Sequence, residues 1–188
     1  IKLVLYLATY TVGAILLLGG FSLFAWLARP YAALYLFPSQ RKSLEKKAEL
    51  NQVKGDWIII PSVLIDAPIE HGLTKENLAQ NIAHAGSAYP GQKGNTIFEG
   101  HNYAKFTRGE QNFFSLLHLI KKGARVYIYF GGKKYQYVVK DKKTLNVDNP
   151  KLYQKTSDER LTLITCASEW SLDMISTTRR VVVTAKPP

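Results

Sequence analysis

The stretch Thr162-Leu163-Ile164-Thr165-Cys166, TLITC, decides how this chain is read. Residues 161–165 are apolar or β-branched, the composition of a buried strand. Cys166 closes the run and is the one cysteine in the sequence. A thiol at a strand end is held by rigid backbone and can still meet a substrate. Taken alone, such a cysteine is equally well explained as a small buried hydrophobe. A nucleophilic role needs an imidazole or another base to maintain the thiolate, and a donor for the oxyanion. Two other stretches offer these groups. His101 stands in Glu99-Gly100-His101-Asn102, after the strand-like run 95–98, and Arg179-Arg180 lead the run 181–185.

Period-two alternation sorts the two arginines. Val181, Val183 and Ala185 share a face with Arg179, while Val182, Thr184 and Lys186 share one with Arg180. The first set is apolar beyond its arginine and reads as the core face, so Arg180 points outward. In the preceding strand Leu161 and Leu163 read as the core face, and Thr162, Ile164 and Cys166 as the other. Cys166 and Arg180 therefore fall on the same outer side, with Arg179 the runner-up.

The rest of the chain supplies a frame. Residues 3–28 carry no charge. As a helix they would run roughly 39 Å, against a bilayer core of about 30 Å, enough to span with tilt. The run exceeds the apolar core of a cleavable signal peptide. Trp26, Tyr31 and Tyr35 lie near its exit, where amphipathic rings suit the membrane interface. The expected division is an anchor with interfacial flank over 1–37, a polar linker or stalk helix over 38–53, and a folded domain over 54–188. Lys2 precedes the span, while Arg29, Arg41, Lys42, Lys46 and Lys47 follow it. That balance alone would keep the domain on the cytoplasmic side. The numbering begins at Ile1 rather than Met, and a basic stretch ahead of it would reverse the count.

From Lys54 onward short strand-like runs alternate with Gly- and Pro-containing loops. Strands are expected near 57–60, 67–70, 96–100, 125–130, 134–140, 161–165 and 181–185. Gly131-Gly132 signals a hairpin. Single helical turns are expected at 74–80, capped by Thr74, and an amphipathic helix at 112–121. Many short strands with few helices point to an all-β, closed or half-closed barrel.

The formal net charge of +11 admits nucleic acid, an anionic membrane or an acidic polymer as surroundings. The lysines are scattered, and no helix-turn-helix, zinc spacing or RNA-binding box appears, so nucleic acid is set aside. A lone cysteine forbids an internal disulfide. No His/Cys/carboxylate group has zinc spacing, and no metal or other cofactor is assigned. Glu70, Glu76 and Glu110 are too scattered for a calcium set. His71, His84 and His118 read as ordinary surface or helix histidines.

Three pieces in order, Gly-His-Asn after a strand, Thr-Leu-x-Thr-Cys, and an Arg leading Val-Val-Val, make the chain resemble the sortases. These are membrane-anchored cysteine transpeptidases of bacterial surfaces. The similarity runs over about residues 57–186. It includes Asp66-Ala67-Pro68-Ile69, Gly86-Ser87-Ala88-Tyr89-Pro90 and Lys122-Gly123-Ala124-Arg125-Val126-Tyr127. The resemblance implies an eight-stranded barrel behind the transmembrane helix. It also implies a single-pass protein of the cell membrane, lodged in the lipid bilayer through residues 3–28, with its catalytic domain on the extracytoplasmic side. Cys166 would be the nucleophile, His101 the acid/base and Arg180 the oxyanion or substrate clamp. Thr165, Asn102 and Trp170 are candidate substrate contacts.

The implied donor is an LPXTG-like sorting signal of a secreted surface protein, cut at a Thr-Gly-type bond. The acceptor would be an amine of a wall precursor or a pilin lysine. Ala167-Ser168-Glu169-Trp170 after the cysteine departs from the acidic or proline-aromatic pattern of familiar sortases, which leaves subclass and exact motif open. A catalytically inactive binding barrel and a hydrolytic cysteine peptidase remain as competing readings.

Overall fold

The computed structural model describes residues 2–51, 53–86, 88–102, 111, 113–167 and 178–188. Three helices, α1 (Lys2–Leu36), α2 (Pro38–Glu49) and α3 (Lys75–Gln80), accompany eight strands. The strands are β1 (Trp57–Ile60), β2 (Ile65–His71), β3 (Ile82–His84), β4 (Gly94–Glu99), β5 (Arg125–Phe130), β6 (Lys133–Asn146), β7 (Glu159–Cys166) and β8 (Arg179–Lys186). They close into a barrel in the order β1-β2-β3-β4-β7-β8-β6-β5. The β2–β3 and β4–β7 pairs are parallel and the others antiparallel. The eight-stranded barrel expected from the sequence is the fold observed.

The interior follows from the pleat. Ile58, Ile128, Phe98, Leu161, Leu163, Val183 and Ala185 are fully buried. Gly131 and Gly132 have φ of 57° and 75°. Two consecutive left-handed residues are what a tight hairpin between right-twisted strands requires, and glycine adopts them without a Cβ clash. β6 is longer than expected and reaches Asn146, with a register shift between Val139 and Asp141. Its first part pairs with β5 and its second with β8. β3 was not anticipated, because Ile-Ala-His is too short to show a period.

One of the two helical expectations changes. Thr74 does cap α3, its hydroxyl accepting from the Asn77 amide at 3.1 Å. In place of the helix expected over 112–121, residues 113–116 form turns that lead into a 3-10 turn at Leu117–Leu119. Leu116, Leu117 and Ile120 are all buried, so their spacing reflects packing against the barrel rather than one helical stripe.

The chain divides into one unit over Ile1–Pro38 and another over Ser39–Pro188. In the first, α1 exposes a long apolar surface. Its Thr9–Trp26 segment, with a mean hydropathy of 1.5, has the length and composition to cross a membrane.

In the second unit, α2 is the helical part of the stretch read as a linker or stalk helix over 38–53. It is seated on the outer wall of the barrel. Ala48 is fully buried among Ile59, Tyr127 and Tyr129, with Leu44 and Trp57 beside them. Asp66 accepts from Lys47 Nζ at 2.7 Å and from Trp57 Nε1 at 2.6 Å. Tyr129 Oη and Lys134 Nζ both donate to the Ala48 carbonyl, one of the orphan acceptors at a helix C-terminus. A polar helix with a thin apolar stripe docks because that stripe meets aromatic rings and its end carbonyl meets fixed donors. A bulky residue at Ala48 has no space to enter. Ala48→Phe is expected to lower the unfolding free energy by about 1–3 kcal/mol, measured by urea denaturation of the chain in detergent.

His84 also departs from the expected surface histidine. It is 5% exposed, packed among Tyr89, Phe98 and Phe130, and its Nε2 bonds the Ala88 carbonyl at 2.9 Å. Burial holds its pKa below the ordinary value of 6.5, the Ala88 bond opposing. The unfolded chain therefore binds the proton more readily. The contribution of neutral His84 is complete above pH 6.5 and is lost as pH falls below it. Unfolding free energy should decline over that window, and His84→Gln should flatten the decline.

Candidate active site

The site is built on one rung of β7 and β8, with the end of β4 beside it. In the β7–β8 ladder, Cys166 and Arg180 are Cα partners, so their side chains leave the sheet on the same face. In the β4–β7 ladder, Glu99 is the partner of Ile164. The Gly100 amide donates to the Ile164 carbonyl at 3.2 Å, carrying the ladder one step beyond β4. Carried one and two residues past Glu99, that register would bring Gly100 level with Thr165 and His101 level with Cys166. Cys166 and Arg180 thus come from adjacent strands about 4.8 Å apart, and His101 follows the end of β4, the strand on the other side of β7. All three residues are half-buried.

Two buried side chains lock the strand ends. Thr165 Oγ1 donates to the Gly100 carbonyl at 2.7 Å. Asn102 Nδ2 donates to the Cys166 carbonyl at 2.8 Å. Both residues were candidate substrate contacts. Thr165 is 2% exposed and Asn102 6%, and these bonds tie β4 to β7. Gly100 is needed where the chain leaves β4, because a Cβ there would lie 3.0 Å from the Phe114 ring. Arg179 is exposed, pairs with Asn146 and leaves the strand on the opposite face from Arg180. Trp170 lies outside the described residues.

The outer face beside the rung is roofed by the connection between β6 and β7. A 3-10 turn at Pro150–Tyr153, capped by the Asn149 side chain, carries Leu152 onto Ile97, Ile164 and Val182. Next to Leu152, the Tyr153 hydroxyl donates to Glu99. Burial raises the Glu99 pKa, while the Tyr153 bond and the Arg180 charge pull it down. Tyr153 is itself pushed up by burial and by Glu99. Glu99 and Tyr153 were not assigned from the sequence. The available signal was an acid in the outward phase of β4, two residues before His101. On the β4 side of Leu152 lies a cavity of about 480 Å³, bordered by Asn95, Ile97, Lys93 and Lys155. Among the described residues, no group of three or more His, Cys, Asp or Glu side chains could hold a metal ion.

With that geometry in view, comparison with known proteins is decisive. The family model described as the sortase domain matches residues 58–188. The chain belongs to the sortase family. It is 29% identical over 126 residues to sortase A of Bacillus anthracis, covering 67% of this chain and 56% of that protein. It is 30% identical over 109 residues to sortase A of Listeria monocytogenes, covering 58% and 47%. The chain thus spans about half the length of the curated relatives it matches. The crystal structure of Listeria monocytogenes sortase A superposes with a TM-score of 0.58 at 27% identity, over 71% of this chain and 86% of that one. Sortase C1 of Streptococcus agalactiae gives 0.59 at 25%, over 70% and 66%. These relatives bear both A and C designations.

In this sortase the two locking bonds hold the rung's strands together. Thr165→Val removes the hydroxyl but keeps the shape, leaving the Gly100 carbonyl without that donor. A loss of about 1–3 kcal/mol in unfolding free energy is expected, read by chemical denaturation.

Proposed function

We propose that the chain is a cysteine transpeptidase acting on a C-terminal sorting signal of LPXTG-like type. What supports this reading is the pairing of Cys166 with Arg180 across β7 and β8, with His101 just past the end of β4 on the other side of β7. The Cys166 thiolate attacks the carbonyl of a Thr-Gly-type bond. A cysteine nucleophile of this kind works with a base within reach. Arg180 holds the oxyanion, or the peptide backbone beside it, with fixed donors that stay charged. As the tetrahedral centre collapses, His101 gives its proton to the leaving amine, and a thioester to Cys166 remains. An incoming amine then attacks the thioester carbon and passes a proton to His101. The thiolate leaves, and a new amide bond joins donor and acceptor.

The acceptor is an amine of a wall precursor or a pilin lysine, and water in its place gives hydrolysis. Residues 3–28 anchor the enzyme as a single-pass protein of the cell membrane, with the barrel on the extracytoplasmic side where such donors and acceptors meet. The Glu99–Tyr153 pair stands two residues up the groove from the catalytic rung and borders the donor path.

The test is a peptide-library profile of the enzyme with and without added amines, followed by variants on the selected donor. Cys166→Ala should abolish acyl-enzyme formation, detected by mass spectrometry. His101→Ala should slow turnover by about 10²–10⁴-fold, and Arg180→Ala by about 10²–10³-fold. Arg179→Ala should stay within about threefold of wild type, because its side chain leaves the other face. Turnover that survives Cys166→Ala overturns the assignment, and cleavage that never yields ligated product points to a peptidase.

A further inference from the structure

The catalytic rung shares its face with a second, basic depression. Leu145, Arg180 and Cys166 line up across β6, β8 and β7. Two residues along lie Lys143, Val182 and Ile164, and two further lie Asp141, Thr184 and Thr162. A cavity of about 400 Å³ opens over these lower rungs on the β6 and β8 side of the Pro150–Tyr153 turn. Strand rise is about 3.3 Å per residue, so the floor lies roughly 7–13 Å from the cysteine rung.

Three cations border this cavity, Lys143, Lys151 and Arg160. The one acidic group there, Asp141, is already paired with Lys143 at 2.8 Å. Lys151 and Arg160 have no ion-pair partner among the described residues. Arg160 Nη2 donates to the Gln154 carbonyl at 3.2 Å, while its Nε is buried without a hydrogen-bond partner. A guanidinium at the cavity wall, with donors left beyond the Gln154 bond and two lysines beside it, suits a carboxylate or a phosphate.

We infer that this cavity takes an oxyanion, carboxylate or phosphate, carried by the amine acceptor, and so holds the acceptor's amine over the thioester carbon of Cys166. The inference rests on the transpeptidation proposed above. A simple cationic amine approaching a protein of net charge +11 is repelled. An acceptor with an anion some 10 Å from its amine is drawn in and oriented. That selects it over water, which has no such handle. Bond formation itself is unchanged: the amine nitrogen joins the acyl carbon, the thiolate leaves and His101 receives the proton.

The test measures the ratio of ligated to hydrolysed product for a donor that acylates Cys166, using the full chain in detergent. Two acceptor pairs are compared, triglycine with triglycinamide and 6-aminohexyl phosphate with 6-aminohexanol. The anionic member of at least one pair should raise the ratio about tenfold or more. An advantage confined to triglycine identifies a peptide carboxylate, and one confined to the phosphate identifies a phosphorylated carrier. The double substitution Lys143→Gln and Lys151→Gln should erase most of the advantage by raising the acceptor KM.

Equal ratios within both pairs overturn the inference, as does an advantage that survives the double substitution. A rise in donor KM instead would put the anion on the donor and overturn it equally. If no donor acylates Cys166, the proposed activity fails, and the cavity is judged by binding of inorganic phosphate and acetate. Saturable amide shifts at Thr162, Val182 and Thr184 that the double substitution removes would support an anion site. Shifts that never saturate would refute it.

Discussion

The hydrogen-bond ladder between β4 and β7 does not stop where the strands do. It runs on through the Gly100 amide, and the Thr165 hydroxyl and Asn102 carboxamide add two bonds across the same gap. Those three bonds govern the site, because a slip of one residue would turn Cys166 away from its neighbours and into the core. Parallel pairing needs a long crossover, and the chain between residues 100 and 158 supplies it. The groups that meet here are therefore far apart in sequence and close only through register.

The barrel wears two outer coverings on opposite sides of its strand order. On the β1–β5 side α2 lays Ala48 over Ile59 and the tyrosines, and on the β4–β7–β8 side the Pro150–Tyr153 turn lays Leu152 over Ile97, Ile164 and Val182. This explains why several strands read as continuous apolar runs rather than alternations. Ile59 and Ile164 point away from the interior and are still buried, because something sits on them. α2 lies over β1 and β5, away from the Cys166–Arg180 rung of β7 and β8.

How much was legible follows from which signals are local. The barrel class came from short apolar runs broken by Gly and Pro, and the hairpin from paired glycines. The alternation of β7 and β8 put Cys166 and Arg180 on one face, and the register makes them direct partners. The destination of α2 was not legible, because a docking surface made of Trp57, Tyr127 and Tyr129 belongs to other parts of the chain. The bonds of Thr165 and Asn102 were not legible for the same reason. Both stand next to candidate site residues in sequence, but their hydrogen bonds run to partners some 65 positions away. Glu99 was quoted without a role, since only folding brings Tyr153 to it.

β8 comes after the other seven staves in the chain, yet it is inserted between β7 and β6. Its pairing with both is non-local on one side and spans the length of the strand on the other. Until residues 179–186 have left the ribosome there is no seam for the barrel to close, and Cys166 has no guanidinium beside it. The Cys166–Arg180 rung thus forms only after both of the strands that flank β8 have been synthesised.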